Sequence, residues 1–86
     1  MTDIPNLTVV MRNKDKVLYS GNAYAVTSIN DRGIFDILPQ HENFISLIKE
    51  KVTIHLTPKE KKQIQIENGI VRVIGDKVHI YVNFKS

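Results

Sequence analysis

The chain has no cysteine, no tryptophan, only four glycines and no long apolar run. Without cysteine, disulfides and thiolate metal sites are excluded. Small secreted domains tend to be disulfide-dense, so the same absence favours a reducing compartment. No apolar stretch approaches the roughly 20 residues needed to span a bilayer, so direct membrane insertion as a helix is not expected. The start, Met1-Thr2-Asp3-Ile4-Pro5, has neither a basic leader nor an apolar core and does not read as a signal peptide. Gly21, Gly33, Gly69 and Gly75 are isolated and none opens a helical pattern, which leaves no phosphate-binding loop. Charge of one sign is also scarce. Twelve basic against nine acidic side chains give +3, too little for a nucleic-acid arm or a polybasic membrane tail.

What is present is β pattern. At 86 residues the chain has room for one domain, read as 1–86 with its core over about 7–84. Val52, Ile54 and Leu56 alternate with Thr53, His55 and Thr57, and Val78, Ile80, Val82 and Phe84 alternate with His79, Tyr81 and Asn83. Leu7, Val9 and Met11 share a face if extended. Turns are expected at Asn13–Lys16, Asn30–Gly33, Thr57–Lys62 and Gly75-Asp76, with an interruption at Ser20-Gly21-Asn22. Asn68-Gly69 predicts a type I′ hairpin turn, since both of its central positions need φ > 0. Phe44, Leu47 and Ile48 have helical spacing, but the run is short and a clean strand follows, so a strand is expected there. The fold class is all-β: an antiparallel β-sandwich or flattened barrel of about eight to ten short strands.

Catalytic chemistry finds no constellation. His55 and His79 fall on the polar side of alternating strands, where they could be cross-sheet neighbours, but no third ligand completes a zinc site. His41 sits in a loop fixed by Pro39 and has no nucleophile at a recognisable spacing. The carboxylates are scattered, and Asp36 stands out only because Phe35 and Ile37 flank it. The run Lys59-Glu60-Lys61-Lys62 lacks the interleaved aromatics that nucleic-acid stacking requires and reads as a solvated loop. No catalytic residue, metal site or cofactor is expected.

The most informative stretch runs from a polar turn, Asn30-Asp31-Arg32-Gly33, through Ile34-Phe35-Asp36-Ile37-Leu38-Pro39-Gln40-His41 into Phe44-Ile45-Ser46-Leu47-Ile48. Upstream stands Val17-Leu18-Tyr19-Ser20-Gly21-Asn22-Ala23 and downstream Glu67-Asn68-Gly69-Ile70-Val71-Arg72-Val73 and Asp76-Lys77-Val78-His79-Ile80-Tyr81-Val82. In this order the segments resemble the N-terminal β-sandwich domain of the epsilon subunit of F-type ATP synthases, the delta subunit in mitochondria. Three departures stand out. Ile34 replaces an acidic residue, Gln40 replaces the glycine between proline and histidine, and Glu42-Asn43 replaces Ala-Pro. The resemblance ends at Lys85-Ser86, where the family continues into a pair of helices. Inhibition of hydrolysis and ATP binding, tied to those helices, are therefore not carried over.

The resemblance implies a noncatalytic rotor part that links the gamma subunit to the membrane c-ring, peripheral on the cytoplasmic side of the cell membrane. It places the c-ring contact at Asp31, Arg32, Gly33 and Ile34. It places the gamma contact at Pro39, Gln40, His41 and an outward Ser46. Two other readings stay open: a stand-alone β-sandwich binding module, and a weak nucleic-acid binder that would lose affinity steeply with salt.

Overall fold

The computed structural model describes residues 6–40 and 42–84, and every regular element in them is a strand. These are β1 (Leu7–Arg12), β2 (Val17–Ala23), β3 (Ala25–Asn30), β4 (Gly33–Ile37), β5 (Phe44–His55), β6 (Lys61–Ile74) and β7 (Lys77–Asn83). They form one sheet in the order β2-β1-β7-β6-β5-β3-β4. All neighbours are antiparallel except β1 and β7, which run parallel. The expected eight to ten short, wholly antiparallel strands are thus seven, with one parallel pair.

The count falls because β5 and β6 are long. Both carry the chain across a bend that local polarity makes look like a break. At the bend the register slips between Lys49 and Glu50, so that Lys49 faces Asn68 while Glu50 faces Ile66. The extra residue there is Glu67 of β6. Opposite β3, the strand β5 inserts Glu50 and Lys51 between the partners of Ser28 and Ile29, and Glu50 takes the left-handed φ of 70°. Residues 44–49 of β5 and 68–74 of β6 therefore join β7, β1 and β2 in a front layer. Residues 50–55 of β5 and 61–66 of β6 join β3 and β4 in a back layer.

The Asn68-Gly69 pair is consequently not a hairpin turn, because β6 runs straight through it. Its glycine answers a different need. A Cβ on Gly69 would lie 2.6 Å from the Tyr81 carbonyl oxygen of the adjacent β7. Close backbone approach and turn formation both select glycine, and only the three-dimensional partner tells them apart. The interruption expected at Ser20-Gly21-Asn22 is also absent, since β2 continues through it. There the Tyr19 hydroxyl folds over Gly21 and donates to the Asn22 carbonyl at 2.7 Å.

Alternation fills the space between the layers. Leu7, Val9, Met11, Val78, Ile80, Val82, Val71 and Val73 project from the front, meeting Val26, Ile37, Val52 and Ile54 from the back. Each large side chain so buried contributes about 1.5–3 kcal/mol. The buried Ser28 hydroxyl donates to the Lys51 carbonyl at 2.8 Å, so that this polar group is satisfied. The sheet does not close through hydrogen bonds, and its flanks are sealed by side chains. Phe35 meets Phe44 edge-on at 6.1 Å on one flank. On the other, Lys62 Nζ donates to the Leu18 carbonyl and sits 5.9 Å over the Tyr19 ring.

Candidate docking surfaces

The β3–β4 turn is built from its own polar residues. Asn30 Oδ1 accepts the Arg32 N–H at 2.8 Å, and Gly33 takes φ 116°, as the turn's composition predicts. Asp31, 98% exposed, forms a 3.3 Å ion pair with Lys49 of β5. Ile34 is 73% exposed beside them, a large apolar side chain at a charged tip. The four residues of the expected c-ring contact are thus one protruding structure.

The expected gamma-contact residues are more dispersed. Pro39 and Gln40 lie in the loop beyond β4, with Gln40 at φ 66°. The Gln40 N–H donates to Asp76 Oδ1 at 3.0 Å, and Asn43 Oδ1 accepts the Gly75 N–H at 2.7 Å. The β6–β7 turn therefore braces this loop. His41 lies outside the described residues. Ser46, expected to face outward, is half-buried on the inner parity of β5, opposite Val71. It accepts from Asn30 Nδ2 at 3.3 Å and donates to the Leu47 carbonyl at 3.0 Å. The alternation of β5, read from Phe44, puts its neighbours outside instead.

Those neighbours are the signal that sequence reasoning passed over. Ile45 is 64% exposed and Leu47 74% exposed. Cross-strand register sets Leu47 beside Ile70, Ile70 beside Tyr81, and Tyr81 beside Arg12. The next row runs Ile45, Arg72, His79, Val10. The outer front is therefore an apolar surface studded with Arg12, Arg72 and His79, and no outward residue of its rows is acidic. A hydrophobic run in β5 reads as core until its period of two is paired with a strand that also turns apolar side chains outward.

The outer back face is polar. Asp36, Thr27, Thr53 and Gln63 share one cross-strand row, with His55 and Lys61 in the next. The Thr27 hydroxyl donates to Asp36 Oδ1 and lies 2.8 Å from His55 Nε2. Since its one proton goes to the carboxylate, His55 Nε2 must be the donor to Thr27. Asp36 thus faces outward with a partner, and His55 packs against the Tyr24 ring at 5.8 Å. His55 and His79 occupy opposite faces and are not neighbours. Among the described residues no group of three potential ligands could hold a metal ion.

The comparisons with known proteins bear on the fold and the family. The model of the β-sandwich domain of the ATP synthase delta/epsilon chain matches residues 6–84. ATP synthase epsilon chains of Corynebacterium efficiens and Corynebacterium glutamicum are each 30% identical over 80 residues, covering 91% of this chain. The chain spans 64% of the length of these relatives. A chain in the cryo-EM structure of the Euglena gracilis mitochondrial ATP synthase superposes with TM-score 0.83 at 16% identity, covering 95% of this chain and 53% of that one. One from the central stalk and c-ring of the Tetrahymena thermophila enzyme gives 0.75 at 16% identity, covering 95% and 66%. At that identity the two structures establish a shared fold. The chain belongs to the family of ATP synthase delta/epsilon β-sandwich domains.

Proposed function

We propose that the chain is a noncatalytic central-stalk subunit of a proton-translocating F-type ATP synthase, linking the gamma subunit to the c-ring. One observation carries the reading. The expected contact segments sit at opposite ends of β4, with a stiff two-layer body between and an exposed apolar face beside one of them. Five strand residues separate tip from loop by roughly 17 Å, room for two different partners. The tip Asp31, Arg32, Gly33 and Ile34 would meet the c-ring. The gamma subunit would meet Pro39, Gln40 and His41 and spread onto Ile45, Leu47, Ile70 and Tyr81. Ser46 would act beneath that surface by positioning Leu47. The site would sit on the cytoplasmic side of the membrane, as a peripheral part of the complex.

Resisting torque is a mechanical task, and the structure suits it. Side chains seal both flanks, and the loop at Gln40 is tied to the β6–β7 turn. Co-purification with a gamma subunit from the same source is the test. Gln40→Glu combined with Leu47→Asp should abolish capture with little change in melting temperature. Failure of the unaltered, folded chain to capture gamma would favour the stand-alone binding module.

A further inference from the structure

On the outer front, β7 lies between β1 and β6 and forms the floor of a groove of about 260 Å³. Val10 and Arg12 of β1 make one bank, Ile70 and Arg72 of β6 the other, and His79 and Tyr81 lie along the floor. Cross-strand register fixes the arrangement. Arg72 stands beside His79 and His79 beside Val10, while Ile70 stands beside Tyr81 and Tyr81 beside Arg12. The two arginines are therefore diagonal across β7, with Cα atoms roughly 12 Å apart at ordinary strand spacing and rise. Two long side chains can close that span on one anion held between them. The chain itself supplies no such anion. Among the described residues, Arg72, His79 and the Tyr81 hydroxyl have no hydrogen-bond partner. Arg12 donates from Nε to the Asn13 carbonyl at 3.2 Å, which leaves its terminal nitrogens unpaired. No outward residue of either row is acidic.

Size and surroundings select the occupant. The groove is smaller than the roughly 300–1,000 Å³ of pockets that hold small molecules, so it suits a side chain better. Its β6 bank continues into the exposed Ile45 and Leu47 of β5, so a carboxylate seated there would carry apolar neighbours. We propose that the groove seats one acidic side chain of the gamma subunit, with flanking apolar residues covering Ile45, Leu47 and Ile70. The carboxylate accepts from Arg12 and Arg72, and the apolar contacts around it exclude the water that weakens exposed pairs. A second copy of this chain fits less well, because it would bring the arginines against their own like. A nucleic-acid backbone would want a longer basic stripe. The partner's identity rests on the gamma assignment above, whereas the preference for a carboxylate stands on the groove alone.

Gamma capture by the full chain is the first test. Arg12→Gln with Arg72→Gln should weaken capture at least about tenfold at low salt, as loss of a desolvated charge pair does. Both side chains are exposed in the free chain, so the melting temperature should hold. Lys49→Gln with Lys77→Gln removes the same two charges from the same face outside the groove and should cost under about threefold. Capture by the unaltered chain should weaken as salt rises, and capture by the arginine variant should not. Equal loss from the two double variants overturns the groove, as does capture indifferent to salt and to both arginines. The second test needs no partner. In nitrogen-labelled protein, the Arg12 and Arg72 Nε–H signals should shift on titration with acetyl-Leu-Glu-Leu-amide. Half-saturation should come at about threefold lower concentration than with acetyl-Leu-Gln-Leu-amide. Equal response to both peptides, or none, overturns carboxylate recognition. Discrimination between the peptides without gamma capture keeps the groove and removes its partner. Capture that ignores both arginines keeps the stalk assignment and removes the groove.

Discussion

The outer faces of the two layers are made by the same two long strands, yet they are chemically opposite. On the back, the rows around Thr27 carry hydroxyls, amides and charges, with exposed Ile34 the apolar exception at the tip, and Thr27 bridges Asp36 to His55. On the front, Ile45, Leu47, Ile70 and Tyr81 lie side by side with water above them. A surface whose polar groups already satisfy one another gains little from a partner. One that holds large apolar groups in water gains about 25 cal/mol for each Å² covered. The bulge at Glu50 is what allows one ribbon to serve both ends, because it resets the register between the halves.

The comparison is broken most severely by changing the front. Leu47→Asp with Ile70→Asp should lower gamma capture at least about 100-fold, near 3 kcal/mol, as truncated interface anchors do. The matching change on the back, Gln63→Asp, should leave capture within about twofold. Gln63→Asp should melt close to the unaltered chain, because the position is outward. The front pair sets two carboxylates directly opposite one another and costs some stability, so its capture is compared with that of Leu47→Asp alone, which creates no such pair. Equal loss from front and back variants would show that the docking face is misplaced.

Gly69→Ala comes next and acts on the fold itself. The new methyl would meet the Tyr81 carbonyl 2.6 Å away, and backbone cannot swing aside as a flexible side chain can. A loss of about 2–3 kcal/mol is expected in urea unfolding. If instead Asn68-Gly69 turned in solution, alanine would cost strain at a loop tip without disturbing β6 or β7. Amide exchange at Val71 and Val82 distinguishes the two.

That residue also shows where reading from sequence reaches its limit. The strict alternation of β7 and of 52–56 in β5 is a property of neighbouring residues, and it located those strands and their buried faces. The turn at 30–33 was legible for the same reason, since Asn30 and Gly33 satisfy its backbone locally. Asn68-Gly69 and Lys49-Glu50-Lys51 carry local turn chemistry too, but there long-range pairing with β7 and β3 prevails, and two long strands replace four short ones. The geometry on which the proposed docking face rests was half legible. Gly33 and Pro39 marked the two ends, whereas Ser46 was assigned to the wrong side. Outwardness in β5 depends on which of two apolar-bearing parities meets the core, and both Phe44 and Ile45 would serve.

A smaller effect sharpens the contrast from the back. Thr27→Val removes the hydroxyl between Asp36 and His55 and should cost about 1 kcal/mol, the usual net worth of such hydrogen bonds. Val10→Thr, the mirror change on the outward front, breaks no bond and should lie within about 0.5 kcal/mol of neutral. Gln40→Gly and Glu50→Gly should both act in the opposite direction. Each relieves a left-handed non-glycine residue, at φ 66° and 70°. Each should therefore stabilise by about 1 kcal/mol in the same unfolding experiment. The expectation at Gln40 also explains why glycine is the family's residue between proline and histidine.

The smallest effect is at the tip. The Asp31–Lys49 pair spans 3.3 Å, but Asp31 is 98% exposed, so water and salt screen most of the attraction. Asp31→Asn should change unfolding free energy by under about 0.5 kcal/mol. Its consequence for docking should be just as slight, because the tip presents Ile34 where the family places an acid. If the tip meets the c-ring as proposed, an apolar contact there should leave association nearly flat between low and moderate salt. Ile34→Glu should restore a visible salt dependence, because the new charge must be matched across the interface rather than covered. Measuring association of both variants at two ionic strengths tests whether the tip works by area or by charge. A steep salt dependence of the unaltered chain would return that role to Asp31 and Arg32.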